Sequence, residues 1–156
     1  MNKSLLIGLL LLTSAARASA QTGPYNWVAQ TTLTVPVNAV KDPLNRYAAC
    51  KGTLNSQTWV GYLDTSAGNP ACIAATPTGT RVVATANVFV LTRTTVNLRW
   101  VDAPDFNNLG VSNVVIADGW LLCAVGGYVG RAGDSTCLTS PAVAQTAQTV
   151  RTVLTW

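Results

Sequence analysis

The chain of 156 residues contains one residue pattern twice, and this repeat constrains its fold more than any local motif. Each copy begins with a Trp-Val pair, has a cysteine 23 residues after the tryptophan, carries an aromatic residue three positions before that cysteine, and reaches a second cysteine further on. In order, these residues are Trp27, Tyr47, Cys50 and Cys72 in the first copy and Trp100, Trp120, Cys123 and Cys137 in the second. Such self-similarity indicates two equivalent structural units. We place them at about residues 27–92 and 100–156.

The first 20 residues predict a secretory signal peptide, residues 1–20. Lys3 gives a positive start, residues 5–12 form an apolar core, and Ala18-Ser19-Ala20 is a small-residue cleavage site. The apolar run is too short to span a bilayer, which takes about 20 residues. We therefore expect a secreted or periplasmic protein without a transmembrane segment, in which residues 21–156 form a single domain.

Four cysteines lie beyond the predicted signal peptide, and four cysteines allow three pairings. An even number in an exported chain indicates two disulfides. The repeat favours Cys50–Cys72 and Cys123–Cys137, because equivalent positions should form equivalent bonds. Each bridge would contribute roughly 3 kcal/mol in the chain-entropy account. The chain has no histidine and no Cys-x-x-Cys pair, so we expect no metal site and no cofactor.

Local patterns favour strands over helices. The predicted mature chain has no glutamate and few lysines, which are typical of helix surfaces. Runs rich in β-branched residues predict strands instead. These runs are residues 31–35, 81–85, 87–91, 94–98 and 149–156. The predicted fold is all-β, an antiparallel β-sandwich or barrel-like domain built from two pseudo-symmetric repeats.

Charge and residue types narrow the function classes. Without Lys3 and Arg17, eight basic residues stand against six aspartates. This near balance argues against a nucleic-acid partner, which favours clustered lysine and arginine. Catalysis has little support, because the chain has no histidine base, no glutamate and no nucleophile-elbow motif. We therefore expect a protein that is not an enzyme.

A series of short motifs runs through the first copy. These motifs are Trp27-Val28, Val35-Pro36, Tyr47-Ala48-Ala49-Cys50, Val60-Gly61-Tyr62-Leu63 and Val88-Phe89-Val90-Leu91. Their order and spacing resemble the DM9 repeat family (DUF3421), and the second copy fits the same pattern more loosely. The resemblance covers nearly the whole predicted mature chain. It implies a compact antiparallel β-fold of two interlocked repeats, and a function like that of mannose-binding lectins.

The resemblance also implies where a sugar would bind. In the family, an aspartate before one strand and a lysine after a Pro-Gly pair bond sugar hydroxyls. The first copy has Asp42 in the acidic position but Tyr62 in place of the lysine, whereas the second has Asp118 and Arg131. A carboxylate accepts hydrogen bonds from hydroxyls and a guanidinium donates to them. Trp59 and Tyr62 are further candidate ligand contacts, because amphipathic aromatic rings are common at binding surfaces.

Each of these candidates also has a purely structural interpretation. An aspartate before proline, such as Asp42, is common in turns, and so is the Asp118-Gly119 pair. Trp59 and Tyr62 would serve equally well in packing. The aromatic residues that recur at equivalent positions are expected to belong to the core; these are Trp27, Tyr47, Trp100 and Trp120.

The expected function is a non-enzymatic binding module for a glycan or cell-surface carbohydrate, with self-association as a further partnership. The alternative is a structural or assembly subunit of an extracellular complex, in which the aromatic residues face protein. A small outer-membrane barrel is a third and less favoured interpretation. It rests on the alternating run that ends at Trp156, but barrel strands need roughly 10 residues and most runs here are shorter.

Overall fold

The computed structural model of the protein describes residues 25–94, 97–103, 113–133, 136–141 and 151–156. Within these ranges the chain forms β-strands in two antiparallel six-stranded sheets and contains no helix, which confirms the predicted all-β fold. The strands are β1 (Tyr25–Ala29), β2 (Ala49–Leu54), β3 (Gln57–Asp64), β4 (Ala71–Ala75), β5 (Arg81–Ala84), β6 (Ala86–Arg93), β7 (Arg99–Asp102), β8 (Ile116–Ala117), β9 (Trp120–Val125), β10 (Tyr128–Gly133), β11 (Thr136–Leu138) and β12 (Arg151–Thr155). The described part of the chain has no helix with the length and hydropathy needed to cross a bilayer. The predicted signal peptide lies outside the described residues.

The two sheets have the same strand order. The first sheet runs β1-β6-β2-β3-β4-β5, and the second runs β7-β12-β9-β10-β11, with β8 paired to β9. Five strands of one sheet therefore correspond to five of the other, and β5 has no counterpart among the described strands. The first sheet uses residues between Tyr25 and Arg93, and the second uses residues between Arg99 and Thr155. Each of the two sequence repeats thus forms one of the two sheets.

The main core lies between the two sheets and takes side chains from both. Leu91 and Val60 of the first sheet share one buried cluster with Leu154 and Val129 of the second. Since successive side chains of a strand face opposite ways, each sheet also has a second buried face. That face carries a separate cluster around the cysteines, one in each sheet.

The predicted disulfides, Cys50–Cys72 and Cys123–Cys137, are both confirmed. Each joins two strands that are separated by a third, β2 to β4 across β3 and β9 to β11 across β10. Next-nearest strands in a flat sheet lie roughly 10 Å apart. The cysteine Cα atoms are 5.7 and 5.9 Å apart, so each sheet is tightly curled at its bridge.

A glycine on the middle strand makes this curl possible in each sheet. Gly61 pairs with Cys50, and Gly130 pairs with Cys123. A Cβ atom on Gly61 would lie 1.9 Å from the Ile73 carbonyl oxygen, and one on Gly130 would lie 2.0 Å from that of Leu138. The backbone of the neighbouring strand therefore occupies the space that a side chain would need.

Some strand predictions differ from the structure. The run 31–35 forms no strand, because the buried Gln30 side chain donates hydrogen bonds to the carbonyls of Thr32 and Thr34 and holds a bend after β1. Bonds from a side chain to the backbone compete in this way with the sheet ladder. The runs 81–85 and 87–91 correspond to β5 and to part of β6. Of the runs 94–98 and 149–156, residues 95–96 and 149–150 lie outside the described residues, and β12 covers 151–155.

Replacing either middle-strand glycine by alanine should destabilise the fold. We expect Gly61→Ala and Gly130→Ala each to lower the free energy of unfolding by about 3 kcal/mol or more, because the added methyl meets rigid backbone. Denaturant unfolding of the oxidised protein measures this. Gly133→Ala is the matched control, since its Cβ would meet only the flexible end of the Leu138 side chain, at 3.0 Å. Equal stability of all three variants would contradict the role of the close approach.

Candidate functional site

The equivalence of the sheets places two matching side-chain clusters where β3 and β10 meet. Gly61 and Gly130 occupy equivalent positions, because each pairs with the first cysteine of its repeat. Counting from these glycines, Trp59 corresponds to Tyr128 and Tyr62 corresponds to Arg131. The positions three residues before the first cysteines relate Tyr47 to Trp120. The pseudo-two-fold relation therefore maps one cluster, Tyr47, Tyr62 and Tyr128, onto another, Trp120, Arg131 and Trp59. Each cluster draws residues from both repeats.

The Trp59–Arg131–Trp120 cluster holds a buried cation. The Arg131 guanidinium carbon lies 4.2 Å from the ring centroid of Trp120 and 5.0 Å from that of Trp59. Arg131 is only 2% exposed, and its Nε and Nη1 atoms have no hydrogen-bond partner among the described residues. Burial lowers the pKa of Arg131 below its ordinary value. Cation–π attraction from two indole rings is the main compensation for this desolvation.

The Tyr47–Tyr62–Tyr128 cluster has three rings in mutual contact, with centroid separations of 4.9, 5.6 and 5.9 Å. Arg46 lies over two of these rings and donates a hydrogen bond to the Gly126 carbonyl at 3.2 Å. Burial raises the pKa of Tyr62 above its ordinary value, and the charge of Arg81 opposes that rise. Both clusters thus join the repeats by aromatic packing with one guanidinium.

A third feature is open to solvent and charged. Lys51 Nζ donates hydrogen bonds to both carboxylate oxygens of Asp118, at 3.1 and 3.2 Å. The same ammonium lies 5.2 Å from the Trp27 ring centroid and 5.5 Å from that of Phe89. Lys51 comes from β2 of the first repeat, whereas Asp118 comes from the β8–β9 turn of the second. We call this arrangement the Lys51–Asp118 cleft.

The Lys51–Asp118 cleft has a volume of about 240 Å³. Its lining consists of Lys51, Gly52, Thr53, Thr58, Asn87, Phe89 and Asp118. The side chain of Asp118 is 44% exposed and that of Lys51 is 19% exposed. The cleft therefore presents a cation, a carboxylate, threonine hydroxyls, an amide and an aromatic ring to solvent.

The structure separates the two residues expected to act together. Asp118 lies in an open cleft, but its ionic partner is Lys51. Arg131 is buried against two tryptophan rings. Trp59 is buried against Arg131, and Tyr62 packs against Tyr47 and Tyr128. Of the five expected ligand residues, Asp118 alone lines the cleft described above.

Asp42 has a different role from the expected one. It is 3% exposed, and its carboxylate accepts backbone N–H bonds from Leu44, Arg46 and Tyr47 at 2.7, 3.3 and 2.7 Å. An aspartate that bonds the backbone a few residues ahead fixes a turn. Asp42 thus shapes the loop before β2.

The expectation that Trp120 is a core residue is also wrong, because it is 36% exposed and covers the Arg131 guanidinium.

Lys51 and Phe89 line the cleft but were not among the expected ligand contacts. Both belong to the first repeat, and they face each other in the β2–β6 register. Their partner Asp118 lies in the other repeat, so no local motif contains all three. One signal was present in the sequence: Lys51 directly follows the first cysteine, and alanine stands at the equivalent position 124.

The pseudo-two-fold counterpart of this cleft has no charged residue in its lining. A second cleft of about 340 Å³ is lined by Pro43, Leu44, Ala124, Val125, Gly126, Gly127 and Thr152. Register places Ala124 where the first cleft has Lys51, and Thr152 where it has Phe89. Asn45 takes the position of Asp118, and both residues have positive φ values, 59° and 47°. The two sites share a backbone design but differ in chemistry.

Comparison with known proteins bears on the fold. The chain is similar to the nematode sperm cell motility protein MFP2B, whose crystal structure matches with a TM-score of 0.56 at 13% sequence identity. The match covers 83% of this chain but 43% of that protein. At this identity the likeness shows a common fold alone. No family model matches the chain, and no curated protein sequence matches it.

Over the described residues, no group of three or more potential ligand side chains is placed to hold a metal ion.

The stacked Arg131 should contribute to stability through its planar shape. We expect Arg131→Lys to lower the free energy of unfolding by about 1–2 kcal/mol, because an ammonium cannot lie flat against both indole rings. Denaturant unfolding followed by tryptophan fluorescence measures the change. Arg81→Lys is the control, because that side chain is 58% exposed with only a 4.0 Å ion pair, and we expect a change within about 0.5 kcal/mol. An Arg131→Lys protein as stable as the control would rule out stacking as the source.

Tyr62 should give the protein an alkaline instability. Its pKa is raised in the folded state, so its contribution to stability is complete below about pH 10 and is lost as the pH rises through the folded value. We expect Tyr62→Phe to flatten the fall in unfolding free energy above about pH 10. It should also remove a late-ionising fraction from the near-ultraviolet absorbance titration. A variant that retains this late fraction would show that another tyrosine is responsible.

Proposed function

We propose that the protein is an exported, non-enzymatic binding module that takes carbohydrate in the Lys51–Asp118 cleft. The observation that carries this proposal is the juxtaposition of a lysine donor and an aspartate acceptor beside the Phe89 ring. Sugar hydroxyls are both donors and acceptors, so an ammonium and a carboxylate can engage neighbouring hydroxyls together. The apolar face of a sugar ring fits against an aromatic ring.

The energetics of the ion pair support a binding role. Exposed ion pairs contribute only about 0–1 kcal/mol to stability, so little is lost when a ligand separates the two groups. Bonds to charged groups are stronger than bonds between neutral groups, which favours capture of hydroxyls. Asp118 is also the acidic residue that the DM9 resemblance assigns to the sugar site. In this proposal Lys51 supplies the cation in place of Arg131.

Two further observations support export and the absence of catalysis. The two disulfides are typical of an extracellular or otherwise oxidising environment. Most glycosidases use two carboxylates flanking the scissile bond. The described lining of the cleft has one carboxylate, and that carboxylate faces a lysine.

Removing either charge should abolish most carbohydrate binding. We expect Lys51→Met and Asp118→Asn each to weaken binding about tenfold or more, since a bond to a charged group contributes about 1.5–3 kcal/mol. A glycan array identifies the ligand, and titration calorimetry measures its affinity. Arg81→Met is the matched control, because it removes one partner of an exposed ion pair in the same sheet, outside the cleft.

Three outcomes would count against the proposal. The site is wrong if both charge variants bind as tightly as the wild type. It is equally wrong if Arg81→Met loses as much affinity as they do. A wild-type protein that binds no glycan would remove the carbohydrate function itself and favour the alternative, a structural subunit of an extracellular complex.

A further inference from the structure

A third and larger cleft adjoins the Lys51–Asp118 cleft. Its volume is about 620 Å³, within the range of about 300–1,000 Å³ typical of small-molecule sites. Its lining consists of Ala29, Gln30, Thr31, Asn69, Pro70, Thr85, Asn87, Val88 and Phe89. Asn87 and Phe89 line both clefts, so the two depressions meet at these residues.

A β-bulge shapes this junction. Lys51 pairs with Phe89 and Thr53 pairs with Ala86, so Asn87 and Val88 together oppose Gly52. Bulges change the direction of a side chain and are common beside functional sites. Asn87 has a φ of 47°, which is unusual for a residue inside a strand. This local strain brings an amide to the boundary between the clefts.

The polar groups of the larger cleft are neutral, and three of them are free. None of its lining residues is charged. The exposed side chains of Asn69, Asn87 and Thr85 make no hydrogen bond to another described residue. Elsewhere, side chains of the same kinds form hydrogen bonds: Asn38 donates to the Arg93 carbonyl, and Thr76 accepts from the Thr80 amide. The larger cleft thus offers free amides and a free hydroxyl on one side of Phe89.

The floor beneath these groups is fixed. The Gln30 amide nitrogen bonds the carbonyls of Thr32 and Thr34, and the Gln30 backbone N–H donates to the Val88 carbonyl at 2.8 Å. Gln30 therefore ties the bend after β1 to the bulged strand β6. A ligand laid along this surface would meet an arrangement that already exists, which lowers the entropy lost on binding.

We propose that the two clefts form one groove that binds a neutral oligosaccharide of at least two sugar units. One unit occupies the Lys51–Asp118 cleft, and the next units extend past Phe89 toward Asn69. Free amides and hydroxyls are the partners that sugar hydroxyls need, and the uncharged lining favours a neutral chain over an acidic one. This inference rests on the carbohydrate function proposed above and adds the length and charge of the ligand.

The test is a length series on the wild-type mature protein. Titration calorimetry with the mono- to tetrasaccharides of mannose and of glucose should show affinity rising about tenfold or more from one unit to three in the series that binds. Binding of the monosaccharide with no gain in the longer members overturns the groove and leaves the Lys51–Asp118 site in place. Binding by neither series, nor by any array glycan, contradicts the proposed function and this inference with it.

One variant separates the two ends of the groove. Asn69 lines the larger cleft but not the Lys51–Asp118 cleft. We therefore expect Asn69→Ala to weaken trisaccharide binding about fivefold and to leave monosaccharide binding within about twofold. Asn26→Ala is the control, because Asn26 is an exposed asparagine on β1 that lines neither cleft. Equal affinity of wild type and Asn69→Ala for the trisaccharide overturns the groove. So does tighter binding of a sulfated or uronate oligosaccharide than of its neutral equivalent.

Discussion

The architecture of each repeat depends on a disulfide that passes over the strand between its two cysteines. A bridge between next-nearest strands requires a strongly curled sheet. The curl leaves no room for a side chain on the middle strand at that point. Gly61 and Gly130 meet this requirement in the two sheets, and the neighbouring backbone fills the space where a side chain would be. The curl leaves each sheet with two buried faces. One contributes to the shared core, and the other surrounds the cysteines.

This curl also determines how the repeats engage. The residue after each middle-strand glycine, Tyr62 or Arg131, projects to the face where β3 meets β10 and inserts among aromatic residues that include one from the other repeat. The two resulting clusters differ in chemistry but both cross the interface. Neither repeat can therefore complete its aromatic packing alone. The same arrangement places the β8–β9 turn of the second repeat against β2 of the first, which is how Asp118 reaches Lys51.

The sequence repeat predicted those features that depend on equivalence. The two units and both disulfides follow from matching positions, because a duplicated pattern tends to form duplicated bonds. The all-β class follows instead from the runs of β-branched residues. The site proposed here could not be predicted in this way, since it lies where the repeats differ: Lys51 corresponds to Ala124, and Asp118 corresponds to Asn45. The prediction that Arg131 and Asp118 act together assumed that each repeat forms its own binding site. The structure shows instead that Arg131 reaches Trp59 of the other repeat and Asp118 reaches Lys51 of the other repeat.

The difference between the two charged features explains which one suits a ligand. The Arg131 guanidinium is buried against the rings of Trp59 and Trp120, so a ligand could reach it only by displacing side chains that now cover it. The Lys51–Asp118 pair lies at the surface, where water already competes for both groups and their mutual attraction is weak. A ligand there exchanges bonds to water for bonds of similar geometry and covers Phe89 as well. Burial thus makes the first cation part of the contact between the repeats, whereas the second is the one that a ligand could reach.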